Sequence, residues 1–435
     1  MTQYHRYPQR TRSLDQIPNA PSRKDPVGFL LRLTKALHTY GVPAYELEQT
    51  INACANAMDF GVQCLSTPTA ITMTLLPPDD NPETYVIRVA PGEVNLNRLQ
   101  QTIEVAQRVI SQQISSDKGQ KVLKKIEKSE PLYGPKTIVA AFALVSSGIA
   151  RIFSGGVGEI VGAAIIGLII GILATQSKKI KFLRYLFPAT CSFIATIAAF
   201  LVNDLSAQPV SISVIIISGL IILLPGLSLT IAMAELATEN LVSGTARLFG
   251  STIIFIQLAF GSAIGVEVGQ YLFGNFELVS LSPVPEWSVW IAVTLSVLGL
   301  VPLFEARIKE TVWFILAAFV AFGTVRYASV PLGASLGAFV GAISVGLTAK
   351  LVTRLFNKPG ALILMPGLII LVPGSVGYKS ILALIHNDIL TGLQTAFDVA
   401  LIAISLVSGL LISSLLPLPK KDLGTTDEFS SHRDN

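Results

Sequence analysis

From residue 137 onward the chain consists mainly of apolar segments that recur at regular intervals and contain few charged side chains. A helix needs about 20 residues to cross a bilayer, and most of these segments are close to that length. Spans are predicted at 137–153, 157–175, 186–203, 210–229, 247–273, 288–304, 311–328, 331–350, 361–380 and 390–416. The chain is therefore predicted to be a mostly α-helical, polytopic membrane protein with ten transmembrane helices.

The amino-acid composition agrees with a chain that lies largely within the lipid bilayer. Hydrophobic residues make up 51% of the 435 residues and charged residues 14%, and the mean hydropathy is +0.60, above the range of soluble globular proteins. Residues 1–136 carry half of the 32 Lys and Arg, so a water-facing front part precedes the membrane part. The basic residues flank apolar segments and form no phosphate-binding patch, so no nucleic-acid partner is predicted.

The front part has the pattern of a small α/β domain. Apolar spacing and turn residues predict, in order, a helix after Pro26, a helix after Pro43, strand-like runs at 62–76 and 84–90, and a third helix from Leu96 to Ile110. The predicted organisation is a disordered basic tail at 1–24, a cytoplasmic α/β domain at 25–117, a basic linker at 118–136, two five-span membrane repeats at 137–285 and 286–418, and a cytoplasmic tail at 419–435.

No catalytic or metal motif stands out. The three cysteines, Cys54, Cys64 and Cys191, have no paired spacing, so neither a disulfide framework nor a metal site is predicted. The front domain contains no zinc-protease, serine-hydrolase or phosphate-loop motif. We therefore expect no enzymatic activity and no cofactor.

Charge in the loops predicts the orientation in the membrane. One set of alternate connections carries twelve Lys and Arg, whereas the other carries only Arg151, Arg326 and Lys379. Because basic loops stay on the cytoplasmic side, both termini and the front domain are predicted to be cytoplasmic, in the cell (inner) membrane. The three exceptions either line an outward vestibule or anchor helix ends at the lipid headgroups.

Two segments break the apolar pattern in the same way. LLPGLSLTIAMAELATENLVSGTARL at 223–248 and LVPGSVGYKSILALIHNDILTGLQTA at 371–396 align without a gap, with Pro-Gly matching Pro-Gly and a polar pair matching a polar pair. Each segment holds the fourth of five predicted spans, and a repeat with an odd number of spans must insert in opposite orientations. The architecture predicted is an inverted 5+5 repeat, as found in secondary transporters that alternate access around a central site.

The break itself predicts a substrate site. Proline removes a backbone donor and glycine permits an unwound turn, and backbone groups in such a turn need a partner that lipid cannot supply. The helix N-terminus after each break suits a carboxylate. Candidate substrate-binding residues are Pro225, Gly226, Ser228, Thr230, Glu235, Glu239, Asn240, Pro373, Gly374, Ser375, Tyr378, Asn387 and Asp388. The alternative is that each Pro-Gly is only a packing kink satisfied by neighbouring helices.

Three further acidic residues within predicted spans are candidates for proton coupling, because an ionisable side chain is costly in hydrocarbon. They are Glu159, Glu267 and Asp398. The competing interpretation, a helix-end residue that reaches headgroup water, suits Glu159 best and Glu267 least.

The ordered motifs resemble a known family. YGVPAYELEQTINACANAMDFG, TPTAI, APGEVNLNRL and FSGGVGEIVGA, followed by the two Pro-Gly segments, are similar to the threonine/serine exporter family of bacteria and fungi over about residues 27–416. The resemblance implies a cytoplasmic N-terminal domain, ten membrane helices in two related halves, and export of small amino acids driven by the proton-motive force. Some bacteria divide this architecture between two proteins, and one such form is associated with dicarboxylate efflux.

Three functions therefore remain to be separated. The first is proton-coupled export of threonine- or serine-like amino acids, and the second is export of succinate-like dicarboxylates. The third, from a different class, is an enzymatic or sensory cytoplasmic domain with a membrane anchor. The partners predicted are a small polar metabolite, the proton and the lipid bilayer, and the sequence neither requires nor excludes a homo-oligomer.

Overall fold

The structure is a computed structural model that describes residues 26–76, 81–177, 181–206, 208–274, 284–356, 358, 360–371, 374–385 and 388–416. Side chains at 181–185 and 384–385 are also outside the description. The predicted tails at 1–24 and 419–435, together with Pro373 and Asn387, therefore lie outside the described residues.

The N-terminal domain consists of two helices, a three-stranded sheet and two further helices. Its elements are α1 (Pro26–Thr39), α2 (Ala44–Asn56), β1 (Gly61–Thr67), β2 (Ala70–Leu76), β3 (Glu83–Arg88), α3 (Leu96–Ile110) and α4 (Ser116–Glu127). The antiparallel sheet has the order β1-β2-β3. Alternate residues of β2, namely Ile71, Met73 and Leu75, are completely buried, and Met73 and Leu75 belong to the same apolar core as helices α1 to α3.

Two predictions for this domain need correction. The run at 62–76 is a hairpin, because Thr67 pairs with Ala70 across the Pro68-Thr69 turn, and proline cannot donate to a continuous strand ladder. The predicted basic linker at 118–136 is partly helical, because α4 buries Leu123 and Ile126 against the domain. An apolar stripe and a Ser115 cap that accepts from Lys118 N explain that helix, so the domain extends to about residue 127.

The rest of the described chain is helical. Its helices are α5 (Pro135–Ile152), α6 (Val157–Ser177), α7 (Lys181–Leu205), α8 (Ile212–Leu220), α9 (Gly226–Ala237), α10 (Leu241–Phe273), α11 (Ser288–Leu303), α12 (Thr311–Phe356), α13 (Ala361–Leu371), α14 (Gly374–Ile385) and α15 (Ile389–Leu415), with 3-10 turns at Ile221–Leu223 and Ile308–Glu310. Within the described residues seven helices are long and apolar enough to cross a membrane, and one bent pair of helices could supply an eighth span.

The ten predicted spans can be located on these helices. Spans 311–328 and 331–350 correspond to the two parts of α12, which meet at the non-helical backbone of Gly333, where φ is 82°. Span 210–229 runs across a break, after which α9 continues to Ala237, whereas span 361–380 corresponds to α13 and α14, whose connecting residues 372–373 lie outside the described residues. The apolar length of a segment indicates that it can span a bilayer, but it contains no information on where the helix bends.

Glycines allow several of these helices to pack closely. On α10, Gly261, Gly265 and Gly269 face α7, and a Cβ atom on Gly261 would lie 2.1 Å from the Ala189 carbonyl oxygen. On α15, a Cβ atom on Gly409 would lie 2.6 Å from the Phe339 carbonyl oxygen of α12. At such distances only glycine avoids a collision with the facing backbone.

Candidate functional site

The first break lies between α8 and α9. The 3-10 turn that follows α8 ends at Leu223, Pro225 interrupts the helix, and α9 restarts at Gly226 with an axis bent by 56°. No side chain caps the N-terminus of α9. The first N–H groups of this helix therefore lack an intrahelical acceptor and a side-chain cap.

The second Pro-Gly lies between α13 and α14, with Pro373 outside the described residues, and the structure brings the start of α14 next to the first break. A Cβ atom placed on Gly374, the first residue of α14, would lie 3.4 Å from Leu224 Cβ and 3.6 Å from Gly226 Cα. Both glycines are buried. Two helix starts that are 148 residues apart in the chain are thus separated by about the space of one added methyl group.

The two half-helices leave this meeting point in opposite directions. α9 runs toward the N-terminal domain, because its Glu235 accepts a hydrogen bond from the Ala44 N–H. α14 runs to the opposite face, where the Lys379 ammonium lies 5.9 Å from the centre of the Phe153 ring just beyond the end of α5. The positive end of α9 therefore lies beside the first residue of α14. The free N–H groups of such a helix start can bind a carboxylate, and carbonyl oxygens at a helix end can bind an ammonium group.

The hydroxyl groups predicted to lie beside the breaks have different roles. Thr230 is buried and donates to Gly226 O at 3.3 Å within its own helix, while Ser228 and Ser375 are half-buried. Tyr378 is buried and donates to Ser262 Oγ, so it holds α14 against α10. Of this group, only Ser228 and Ser375 are partly accessible at the first turns of the two half-helices.

The polar pairs that align in the repeat are distant from the breaks along the chain. α9 has 12 residues, which places its end roughly 18 Å from its start. There Glu239 is exposed, and Asn240 precedes α10 with its side chain bonded to Thr238 O. Asp388 caps α15 by accepting from Thr391 N. In this structure these residues terminate helices, whereas Asn387 lies outside the described residues.

Glu235 is the acidic side chain of this set with the densest contacts. It is completely buried and forms a two-point ion pair with Arg247, with both N–O distances at 3.1 Å. The same carboxylate accepts from Ser243 Oγ at 2.9 Å and from Ala44 N at 3.1 Å. It therefore links α9 to α10 and to the first residue of α2 in the N-terminal domain.

A buried histidine of the N-terminal domain lies close to this ion pair. His38 Nε2 donates to Thr67 O at 3.0 Å, whereas its buried Nδ1 has no partner among the described residues. Burial lowers the pKa of the imidazole, and the Arg247 guanidinium lowers it further. Glu48 accepts from Ser66 N, and its pKa is raised by burial. The interface therefore favours neutral His38.

The three proton-coupling candidates occupy different environments. Glu159 is buried and accepts from Gly156 N and Ser211 N, each at 2.8 Å, so it caps α6 and ties it to the segment before α8. Glu267 and Asp398 are exposed, on α10 and α15. Asp398 lies nine residues into α15, about 14 Å from its start, a depth at which an ionised carboxylate facing lipid would be costly.

The three basic residues that depart from the loop asymmetry all lie on the face opposite the N-terminal domain. Arg151 is buried and donates to Ser288 Oγ and to the carbonyl oxygens of Val284 and Pro285. Arg326 pairs with the exposed Glu286 at 3.2 Å. Arg151 is therefore a buried tie between α5 and the segment before α11, which neither of the two sequence-based interpretations describes.

Sequence reasoning missed the partners of Glu235. Arg247 was counted only as a loop charge, although its separation of 12 residues from Glu235 across a helical hairpin could have indicated a pair. Ser243, Ser262 and the Ala44 N–H carried no sequence signal. Among the described residues no group of three or more His, Cys, Asp or Glu could hold a metal ion.

Comparison with known proteins gives two family matches. A model described as a putative threonine/serine exporter matches residues 28–269, and a second model, described as a threonine/serine exporter, matches residues 289–416. No solved structure matches.

Several curated relatives are fungal proteins. Pheromone-regulated membrane protein 10 of Yarrowia lipolytica is 26% identical over 342 residues, covering 75% of this chain and 28% of the relative. The protein of the same name in Saccharomyces cerevisiae is 23% identical over 381 residues, covering 85% and 48%. An uncharacterized protein of Schizosaccharomyces pombe is 23% identical over 359 residues, covering 78% and 42%. The chain thus spans no more than about half of the length of these relatives.

Proposed function

Because the chain belongs to the threonine/serine exporter family, a family of membrane transporters, we propose that it is a secondary transporter that exports small amino acids of the threonine and serine type. The observation that carries this proposal is the meeting of the two helix starts at Gly226 and Gly374. The uncapped N–H groups at the start of α9, beside the start of α14, are the kind of site that transporters with broken helices use for small polar substrates.

The proposal includes ten spans in an inverted 5+5 repeat. Dividing α12 at Gly333, and adding the bent pair and the shorter helix α11 to the other apolar helices, gives ten. The spacing of 148 residues that relates the two Pro-Gly breaks also relates Gly261 to Gly409, and both glycines pack against a backbone carbonyl of the third span in their own half. Because Gly261 and Gly409 lie outside the two aligned segments, their equivalent packing is separate support for a repeat.

Crossed packing supports alternating access. The half-helix α9 packs on α15 of the other half, and α14 packs on α10 of the first half. Since α9 and α14 run to opposite faces, rocking one half against the other would expose the meeting point to one face at a time. We place the N-terminal domain in the cytoplasm on the basis of the loop charges, and the inner-membrane assignment remains a prediction.

The chemistry at the meeting point also suggests a second substrate class. A zwitterionic amino acid would place its carboxylate on one helix N-terminus and its ammonium group on the carbonyl ends nearby. Two helix N-termini could instead bind the two carboxylates of a succinate-like dicarboxylate. The third candidate, a membrane-anchored enzymatic or sensory domain, predicts that the breaks are dispensable.

Flux measurements on purified protein in lipid vesicles would separate these functions. We expect labelled threonine or serine to cross the membrane, several-fold faster with an imposed pH gradient than without one. Competition by unlabelled succinate but not by serine would favour the dicarboxylate class. Absence of flux for every amino acid and dicarboxylate tested, in vesicles that contain folded protein, would contradict the transporter proposal.

Among the three acidic candidates, Asp398 is the best placed for proton coupling. We expect Asp398→Asn to abolish the stimulation of flux by a pH gradient while substrate exchange without a gradient stays within about twofold of wild type, because the neutral amide can neither bind nor release the proton. Asp204→Asn, an identical change at an exposed site near the end of α7, is the matched control. If a pH gradient still stimulates flux fully in Asp398→Asn, Asp398 is not the proton-coupling residue, and Glu267 and Glu159 become the candidates to test.

A further inference from the structure

Among the described residues the N-terminal domain is hydrogen-bonded to both halves of the membrane part, and the first contact is extensive. The start of α3 meets the segment between α11 and α12 through hydrogen bonds of Leu96 N to Phe304 O, Asn95 Nδ2 to Glu305 Oε2, and Arg307 Nε to Asn97 Oδ1. Tyr133, in the connector between α4 and α5, adds a hydrogen bond from its OH to Ala306 O. The apolar core of the domain is continuous here with buried residues of α11 and α12. This contact belongs to the second membrane half.

The second contact is with the first membrane half, and its hydrogen bond depends on one side chain. Glu235 Oε1 accepts from Ala44 N at 3.1 Å, and β1 lies against α10 beside it. Ala44 is the first residue of α2, so its N–H has no acceptor within the helix, and the positive helix end favours an anion. The domain therefore bridges the two halves, with the weaker contact on the broken span.

The Glu235 carboxylate can lose its hydrogen bond to Ala44 N and still keep its partners Arg247 and Ser243. Its bonds to Arg247 and Ser243 lie within the α9–α10 hairpin and would move with it. A buried charge that loses its partner is strongly destabilising, but here the partner stays. The Ala44 N–H could take water in place of the carboxylate, so the bond between the domains can break and reform reversibly.

We propose that Glu235 is a positioning residue that acts as an interdomain latch. In the latched state it fixes the start of α2 to the half-helix α9 and so holds the N-terminal domain across the two halves. This inference rests on the proposed transport function. Rocking of the two halves would strain the bridge between them, and the hydrogen bond from Ala44 N to the Glu235 carboxylate is the contact that would break. Movement of α9 therefore requires the latch to open.

Hydrogen exchange of the full-length protein in lipid nanodiscs tests the latch directly. In Glu235→Gln we expect the amides in the first turn of α2 to exchange at least about tenfold faster than in wild type, because a bond to a charged acceptor becomes a bond to a neutral one. Glu104→Gln, the same change at an exposed position of α3, is the matched control and should exchange as wild type. Exchange in α1 should also stay at the wild-type rate.

A second variant covers the case in which Glu235→Gln does not fold. Glu235→Leu with Arg247→Met removes both charges together, so neither is left buried without its partner, and only the Ser243 hydroxyl loses its acceptor in the hairpin. We expect the same acceleration in α2, and a loss of accumulation against a gradient. Wild-type exchange in α2 of both variants would overturn the latch, as would acceleration throughout the domain. Because exchange is measured without substrate, a wild-type protein with no flux would contradict the transporter proposal alone.

Discussion

Replacing Gly374 by leucine is expected to reduce transport below about a tenth of wild type while the protein still inserts and folds. The Leu side chain would occupy the space between the two helix starts, because a Cβ atom there is already 3.4 Å from Leu224 and 3.6 Å from Gly226. Forcing extra carbons into a packed site costs about 1–3 kcal/mol, and 1.4 kcal/mol is tenfold in an equilibrium constant. Gly226→Leu should act in the same way from the other side of the meeting point.

The measurement is substrate flux in vesicles, normalised to the amount of folded protein. Gly250→Leu is the matched control, because a Cβ atom at Gly250 on α10 would meet nothing within 4 Å. Gly374→Ala should keep most of the activity, since its Cβ would make only ordinary van der Waals contacts. Undiminished flux in both Gly226→Leu and Gly374→Leu would show that the breaks are packing kinks and that the substrate passes elsewhere.

Gly261→Val is expected to prevent formation of the native helix packing. Its Cβ atom would lie 2.1 Å from Ala189 O and 2.2 Å from Ser192 Oγ, both on α7. A backbone oxygen cannot shift by enough to relieve this overlap, so α7 and α10 would have to move apart. We expect this overpacking to lower the stability of the fold by more than the usual cost of about 1–3 kcal/mol. We expect a large fall in melting temperature and in the yield of monodisperse protein.

Gly250→Val on the same helix controls for the intrinsic effect of valine in a helix. Gly409→Val provides a second test, because the repeat places Gly409 in the equivalent position against Phe339 O. Both variants should lose stability while the control does not. A stable, well-behaved Gly261→Val protein would mean that α7 and α10 are farther apart in solution than the structure places them.

Sequence reasoning located the first break because its signal is local. Pro225 and Gly226 restrict the backbone at one point, whereas the second Pro-Gly includes Pro373, which lies outside the described residues. The first two helices of the N-terminal domain follow from apolar periodicity in the same way. These features depend on residues that are neighbours in the chain.

What could not be predicted depends on residues that are distant in the chain. Glu239 and Asn240 lie between the end of α9 and the start of α10 in the structure, and their assignment to the substrate site stays a prediction. Glu235 is predicted as an acceptor for an ammonium group or a proton, and no periodicity indicates that one of its partners is the Ala44 N–H 191 residues away. The hairpin at 61–76 is predicted as one strand-like run because strand-forming residues lie on both sides of a turn of only two residues.

The crossed packing of the half-helices has a consequence for how the protein is made. Because α9 packs on α15 as well as on α10, and α15 is the last described helix of the chain, the first half leaves the ribosome before one of the helices that covers its break has been made. The covering of the break is complete only after some 150 further residues of synthesis, and lipid cannot satisfy its free backbone groups in the meantime. The central site is therefore among the last parts of the molecule to assemble, and a nascent chain halted after the first half depends on water or on the insertion machinery to protect it.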